Sequence, residues 1–323
     1  MLQVQTDDLA GRVRSGDTRS LARVLSMVEN GHALAPDIMH ELYHPERACL
    51  TVGITGPPGA GKSTLTSLLI TCWRQRGNKV GVIAVDPSSP FSGGALLGDR
   101  VRMQEHASDP GVFIRSMGSR GHLGGLAGST RDALEVMASA SFDPVLVETV
   151  GVGQAEVEIA SLADITLLVL VPGLGDEVQT MKAGIMEIGD IIVLNKADRQ
   201  GIDQLETAVR ASLELIPEET EKPPVVRCSA RTGQGMDRLT EEIEKFASVI
   251  GDRKGMARRR TSLILASVIR EKGRDIAERL VADRFGSVEE AVESILRGET
   301  TPYGIGGILS EYPEDQREID NGC

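Results

Sequence analysis

The stretch from Leu50 to Leu65, L-T-V-G-I-T-G-P-P-G-A-G-K-S-T-L, packs a short apolar strand, a glycine-rich loop and a helix start into sixteen residues. It constrains the fold more than any other feature of the chain. Gly56, Gly61, Lys62 and Ser63 fit G-x-x-x-x-G-K-[ST]. Glycines let successive backbone N–H groups turn inward around a polyphosphate, and the helix that follows adds roughly half a positive charge at its N-terminus. The expected cradle is Gly56, Pro57, Pro58, Gly59, Ala60, Gly61, Lys62, Ser63 and Thr64. Lys62 would reach the β and γ phosphates, and the Ser63 hydroxyl would sit on Mg²⁺, a hard cation that prefers oxygen ligands. An ordinary glycine turn between strand and helix needs neither the lysine nor the hydroxyl. The loop reads as a nucleoside-triphosphate site.

The rest of the chain repeats the same strand-then-helix rhythm. After a helix at about Ser63 to Arg76, Val80 to Val85 forms an apolar run ending in Asp86. Further runs follow at Val112 to Arg115, Val145 to Val150, Ile165 to Val171, Ile191 to Leu194 and Val225 to Arg227. Helical stretches separate most of them, which predicts an α/β fold with a doubly wound, mostly parallel sheet and right-handed crossovers. Ahead of it, residues 1–48 read as an N-terminal helical extension. Asp17 is placed to cap a helix over Thr18 to Glu29, Gly31 to stop it, and Leu21, Val24, Leu25 and Val28 to form its buried stripe. Residues 49–250 form the nucleotide-binding domain and 251–323 a C-terminal helical arm, in which Leu265, Ile269, Ile276 and Leu280 share a face and Ser287 caps Val288 to Arg297. That face is expected to pack on a second copy of the chain.

A second motif selects the base. Asn195-Lys196-Ala197-Asp198 follows the strand D-I-I-V-L and matches N-K-x-D. An aspartate there accepts hydrogen bonds from both the N1–H and the 2-amino group of guanine, whereas adenine offers a lone pair at N1 and no 2-amino group. Asn195 would tie loops together near the base, the stem of Lys196 would lie along it, and a backbone N–H of Ser229-Ala230 would meet guanine O6. The expected ligands are GTP and GDP.

Between the motifs lie residues expected to respond to the γ-phosphate. Glu148 ends the strand V-L-V-E, and Gly151 completes E-x-x-G where many GTPases carry D-x-x-G. The longer glutamate would meet Mg²⁺ through a water, and the Gly151 N–H would face the γ-phosphate. Asp86 and Asp99 are further carboxylates at strand or loop ends, either able to hold a metal-bound or attacking water, or to serve as plain turn residues. No glutamine directly follows Gly151, so slow intrinsic hydrolysis is expected.

Composition excludes other classes. A formal charge of −12 over 323 residues argues against nucleic acid as a main partner. No run reaches the roughly 18 to 20 apolar residues that span a bilayer, so no membrane association and a cytoplasmic location are expected. Cys49, Cys72, Cys228 and Cys323 are scattered and read as core or surface residues of a reducing compartment. His40, Glu41 and His44 match H-E-x-x-H, but Pro45 ends that helix at once and the loop that follows supplies no third ligand, so surface histidines are the better reading.

The segments D-P-S-S-P-F-S-G-G-A-L-L-G-D-R (Asp86 to Arg100), M-G-S-R-G-H-L-G-G-L-A-G-S-T (Met117 to Thr130) and P-G-L-G-D-E-V-Q-T-M-K-A-G-I-M-E-I (Pro172 to Ile188), with E-T-V-G-V-G-Q, go beyond what a phosphate loop requires. In these the chain resembles the methylmalonyl-CoA mutase-associated GTPases called MeaB or ArgK, over nearly its whole length. The resemblance implies a homodimer joined through C-terminal helices. It also implies a chaperone that gates delivery of adenosylcobalamin to methylmalonyl-CoA mutase and protects that enzyme from inactivation. Carried over by motif, Ser63, Asp86, Asp99 and Glu148 form the magnesium network. Pro172 to Ile188, with Asp176, Gln179 and Lys182, becomes a switch that senses the mutase. Two alternatives stay open: a kinase for an amino-acid transport protein, and a nickel metallochaperone GTPase, against which five dispersed histidines count.

Overall fold

The computed structural model describes residues 2–44, 49–86, 104–118, 125–149, 161–173, 185–215 and 222–250, and parts of 261–300. The chain divides into two compact units, Met1–Thr261 and Ser262–Cys323.

In the first unit three helices come first: α1 (Leu2–Arg14), α2 (Thr18–Glu29) and α3 (Ala35–Leu42). Asp17 caps α2 by accepting from the Ser20 N–H at 2.6 Å, and Gly31 follows with φ +60°, so both ends stand where residue chemistry put them. Leu21, Val24, Leu25 and Val28 are buried. The α3 helix stops at Leu42, with Tyr43 already extended, which leaves His44 outside the helix. His40 and His44 therefore do not share a helical face.

Seven strands follow: β1 (Thr51–Thr55), β2 (Val80–Asp86), β3 (Val112–Gly118), β4 (Val145–Thr149), β5 (Ile165–Leu170), β6 (Ile191–Leu194) and β7 (Val225–Arg227). The helices between and after them are α4 (Lys62–Gln75), α5 (Gly125–Ser139), α6 (Ile202–Glu214) and α7 (Met236–Val249). The sheet order is β3-β2-β4-β1-β5-β6-β7, and each of its pairings is parallel. The fold is α/β with a single parallel sheet. β3 runs three residues beyond the expected Arg115, because Ser116 to Gly118 stay in register with Ala84 to Asp86 of β2.

Side chains alternate between the two faces of the sheet, as strand geometry demands. Val80, Val82 and Leu146 pack on one face with Leu65, Leu69 and Trp73 of α4 and Leu239 and Ile243 of α7. Ile83, Val85, Val145 and Val147 pack on the other with α5 and with Leu21, Leu25, Ile38 and Leu42 of the N-terminal helices. Those helices thus share one core with the sheet. Polar ties fasten them to it: the Ser139 hydroxyl of α5 donates to the Leu42 carbonyl at 2.8 Å, and Arg115 of β3 pairs with Glu29 of α2. Cys49 and Cys228 are buried and Cys72 half-buried. Among the described residues no helix is long and apolar enough to cross a membrane.

In the second unit, α8 (Val288–Leu296) is capped by Ser287, whose hydroxyl accepts from the Glu290 N–H at 3.0 Å. Leu265, Ile276, Val288 and Val292 are exposed.

Candidate functional site: a phosphate loop joined to a base-reading loop

β1 delivers the loop 56–61 to the C-terminal edge of the sheet, where parallel sheets bind ligands. Gly56 adopts φ +136°, and a Cβ there would stand 2.2 Å from the Val169 carbonyl oxygen of β5. Gly61 begins α4 in the left-handed region at φ +85°, and a Cβ on it would meet Asn195 Nδ2 at 2.6 Å. At both positions only glycine combines the backbone angle with the closeness of its neighbour.

Lys62 is buried, and its ammonium donates to the carbonyls of Gly56 at 2.6 Å and Pro57 at 3.0 Å, so the charge lies folded along the loop. One residue on, the Ser63 hydroxyl donates to Glu148 Oε1 at 2.5 Å. Glu148 stands next to Ile54 in the β1–β4 ladder, which is how a residue 85 positions away reaches the first turn of α4. Thr66 completes the contact by donating to Glu148 Oε2 at 2.9 Å. No sequence motif marks Thr66. Its signal was its place three residues after Ser63, on the helix face turned toward the sheet.

The base-reading loop meets the phosphate loop through one side chain. Asn195 Nδ2 donates to the Ala60 carbonyl at 2.8 Å, while its Oδ1 accepts from the N–H of Ala230 at 3.0 Å and of Lys196 at 2.8 Å. Asn195 is almost fully buried, and three loops depend on it. Lys196 sits at φ +59°, and its ammonium crosses back to the Gly59 carbonyl at 2.7 Å. Asp198 accepts from the Ser229 hydroxyl at 2.6 Å and from Arg231 at 2.6 Å. These donors, the serine first, hold its carboxyl below the usual carboxylate range. Arg231 played no part in the sequence reading, since an arginine after Ser-Ala carries no motif of its own.

One expectation changes in detail. The Ser229 N–H is engaged with the Gln234 carbonyl at 2.9 Å and the Ala230 N–H with Asn195, so neither points at a base without sharing. Glu148 contacts Ser63 directly, so the two residues expected to share a metal stand side by side. The described residues bring together Lys62, Ser63 and Glu148, then Ala60, Asn195 and Ala230, then Asp198 and Ser229. Pro58, Gly59 and Thr64 are exposed at the rim. Asp86 closes β2 beside Gly118, with its side chain undescribed. Asp99, Gly151, Asp176, Gln179 and Lys182 lie outside the described residues.

A parallel α/β sheet, a glycine loop opening a helix, and an N-K-x-D loop locked to it define a P-loop GTPase. Comparison with known proteins then gives the family. The profile described as "Methylmalonyl Co-A mutase-associated GTPase MeaB" matches residues 21–284, and the chain belongs to that family. A protein of Pyrococcus horikoshii named as a GTPase is 44% identical over 309 residues, covering 94% of this chain and 97% of its own. The GTPase ArgK of Escherichia coli is 37% identical over 248 residues, 74% of this chain and 75% of that one. A crystal structure described as a LAO/AO transport system kinase is similar with a TM-score of 0.70 and 26% identity, over 96% of this chain and 97% of that chain.

Proposed function

We propose that the chain hydrolyses GTP with Mg²⁺ in the cytoplasm and couples hydrolysis to methylmalonyl-CoA mutase, gating adenosylcobalamin loading and protecting the mutase from inactivation. The observation that carries the chemical half is the contact of Ser63 with Glu148 beneath the phosphate loop. A hydroxyl and a carboxylate touching at the ligand edge are hard oxygen donors that fit a magnesium ion. Ser63 and Glu148, with Asp86 and Asp99, would hold it. Magnesium, when bound, neutralises charge on the β and γ phosphates. The mutase half is supported by the family description and by the segments Asp86 to Arg100 and Pro172 to Ile188.

On this reading Lys62 exchanges its bonds to Gly56 and Pro57 for phosphate oxygens, and the backbone of Gly59 to Thr64 surrounds the phosphates. Gly151 offers its N–H to the γ-phosphate. Asp198 accepts from guanine N1–H and the 2-amino group, the stem of Lys196 lies along the base, and the Ala230 N–H is shared between Asn195 and guanine O6. Asp176, Gln179 and Lys182 sit in the segment that senses the mutase and brings a donor or a cation toward the γ-phosphate. The exposed Leu265, Ile276, Val288 and Val292 support a homodimer through the second unit. Light scattering on the full chain tests that part, and a monomer mass would refute it.

The deciding experiment is recovery of purified mutase on the immobilised protein with GDP or a non-hydrolysable GTP analogue, alongside phosphate release with and without mutase. Nucleotide-dependent recovery and faster release are expected. Equal recovery with unchanged release would remove the mutase, and labelled γ-phosphate appearing on a protein would favour a kinase.

A further inference from the structure

The base-reading carboxylate already has a cation on it. Arg231 Nη2 donates to Asp198 Oδ2 at 2.6 Å, while Oδ1 is taken by Ser229. The two donors differ in kind. Ser229 is wholly buried, and its hydroxyl also accepts from the Thr232 N–H at 3.3 Å, so it is part of the frame. The Arg231 side chain is 79% exposed and the Asp198 side chain 18% exposed, so the guanidinium reaches the carboxylate from solvent. A guanine base would reach it from solvent too, since the buried Ser229 closes the Oδ1 side from within. Guanine needs both carboxylate oxygens at once, one for N1–H and one for the 2-amino group. Arg231 and the base compete for Oδ2.

We infer that Arg231 is a release latch for the guanine site: it closes onto Asp198 as the base leaves and must swing out, or give up its share of Oδ2, for the base to enter. This rests on the reading of Asp198 as the guanine-binding carboxylate. Arg231 takes Oδ2 while the base is still letting go of it, so the cation stabilises both the half-released and the empty site, leaves the fully bound one nearly unaffected, and thereby lowers affinity and speeds release. The size of the effect follows from exposure, since an ion pair with one partner mostly in water changes an equilibrium by about two- to fivefold.

The test is dissociation of a fluorescent GDP analogue, chased with excess GDP, from wild type, Arg231→Ala and Arg231→Lys at low and high salt. Arg231→Ala is expected to release the analogue about two- to fivefold more slowly and bind it correspondingly tighter. Arg231→Lys, which keeps the charge, is expected to stay near wild type. The difference between wild type and the alanine variant should shrink as salt screens the pair. A merely structural arginine would not produce that convergence or the lysine rescue. Equal release rates in wild type and Arg231→Ala, or faster release from the variant, would overturn the latch. Wild-type protein that retains a fluorescent ADP analogue as firmly as the GDP one, in a parallel run, would overturn the guanine reading beneath it, so the two failures are distinguishable.

Discussion

At the phosphate end three side chains assigned to ligand and metal are sealed in: Lys62 is 5% exposed, Ser63 7% and Glu148 5%. At the base end Arg231 reaches Asp198 from solvent, and Asn195 and Ser229 behind them are buried. The difference follows from what each end holds. A polyphosphate is bound by backbone N–H groups and one buried ammonium in a fixed cradle, where low water content strengthens each interaction and a misplaced atom has nowhere to go. A base is recognised along one edge and must be admitted and released, so its carboxylate stays within reach of water and of a competing cation. Asn195 is the part common to both ends, and damage at either should travel through it. The contrast predicts that substitutions grow milder from the phosphate loop toward the base.

The largest effect is expected from Gly56→Ala. The added Cβ stands 2.2 Å from a backbone carbonyl at a φ of +136°, so neither the residue nor its neighbour can yield cheaply. Strain of about 1–3 kcal/mol plus the clash should lower unfolding free energy by roughly 3 kcal/mol. Melting should fall by about 6–12 °C, with nucleotide retention abolished. Thermal denaturation and equilibrium dialysis check this, and a variant that melts and binds normally would show that the loop is softer than its geometry implies.

Glu148→Gln comes next. The amide replaces one acceptor by a donor, so it cannot accept from both Ser63 and Thr66, and it removes the buried negative charge a metal would meet. GTP hydrolysis is expected to fall about a hundredfold, with GDP affinity reduced much less. Single-turnover phosphate release beside GDP titration separates the two. A parallel loss of both would place Glu148 in the frame and not in the chemistry.

At the base end Asp198→Asn should cost GTP at least about tenfold in affinity, since hydrogen bonds to a charged group carry roughly 1.5–3 kcal/mol each. Xanthosine triphosphate should gain, because an amide donates to the 2-keto oxygen of xanthine. Competition titration with the two triphosphates reads both changes, and undiminished GTP binding would remove the guanine assignment.

How much of this could be read from the chain follows the same division. Motifs within one loop were legible: the glycine loop, N-K-x-D, the Asp17 cap and the strand runs each depend on neighbours in sequence. Contacts between distant segments were not. Ser63 and Glu148 were both named, yet their direct bond depends on β1 and β4 pairing so that Glu148 stands beside Ile54. Sharing of a core between the N-terminal helices and the β2–β4 face is of the same kind, for amphipathic spacing shows that a stripe is buried but not against what. The α3 end at Leu42 was misplaced because Pro45 is a conspicuous breaker, while the extended conformation of Tyr43 has no sequence mark. Arg231 escaped because an exposed arginine looks the same whether or not a carboxylate lies within reach.

Ser229→Ala is the smallest change and tests how the base end is tuned. Its hydroxyl is the first cause of the lowered Asp198 pKa, ahead of Arg231. A carboxylate held below its ordinary value of 3.8 contributes stability that is fully present above that value and is lost as pH falls through the lower native one. Guanine binding follows the same course, because a protonated Asp198 offers a donor where N1–H and the 2-amino group need acceptors. Removing the hydroxyl raises the native pKa toward the ordinary value, so the variant should lose GDP affinity at a higher pH than wild type does. At neutral pH, where Asp198 is ionised in both, only its alignment suffers and affinity should drop about two- to fivefold. The measurement is a GDP titration at stepped pH from neutral into the acid range, with circular dichroism showing that each sample is folded. Acid limbs that coincide would show that the buried serine positions Asp198 without tuning its charge.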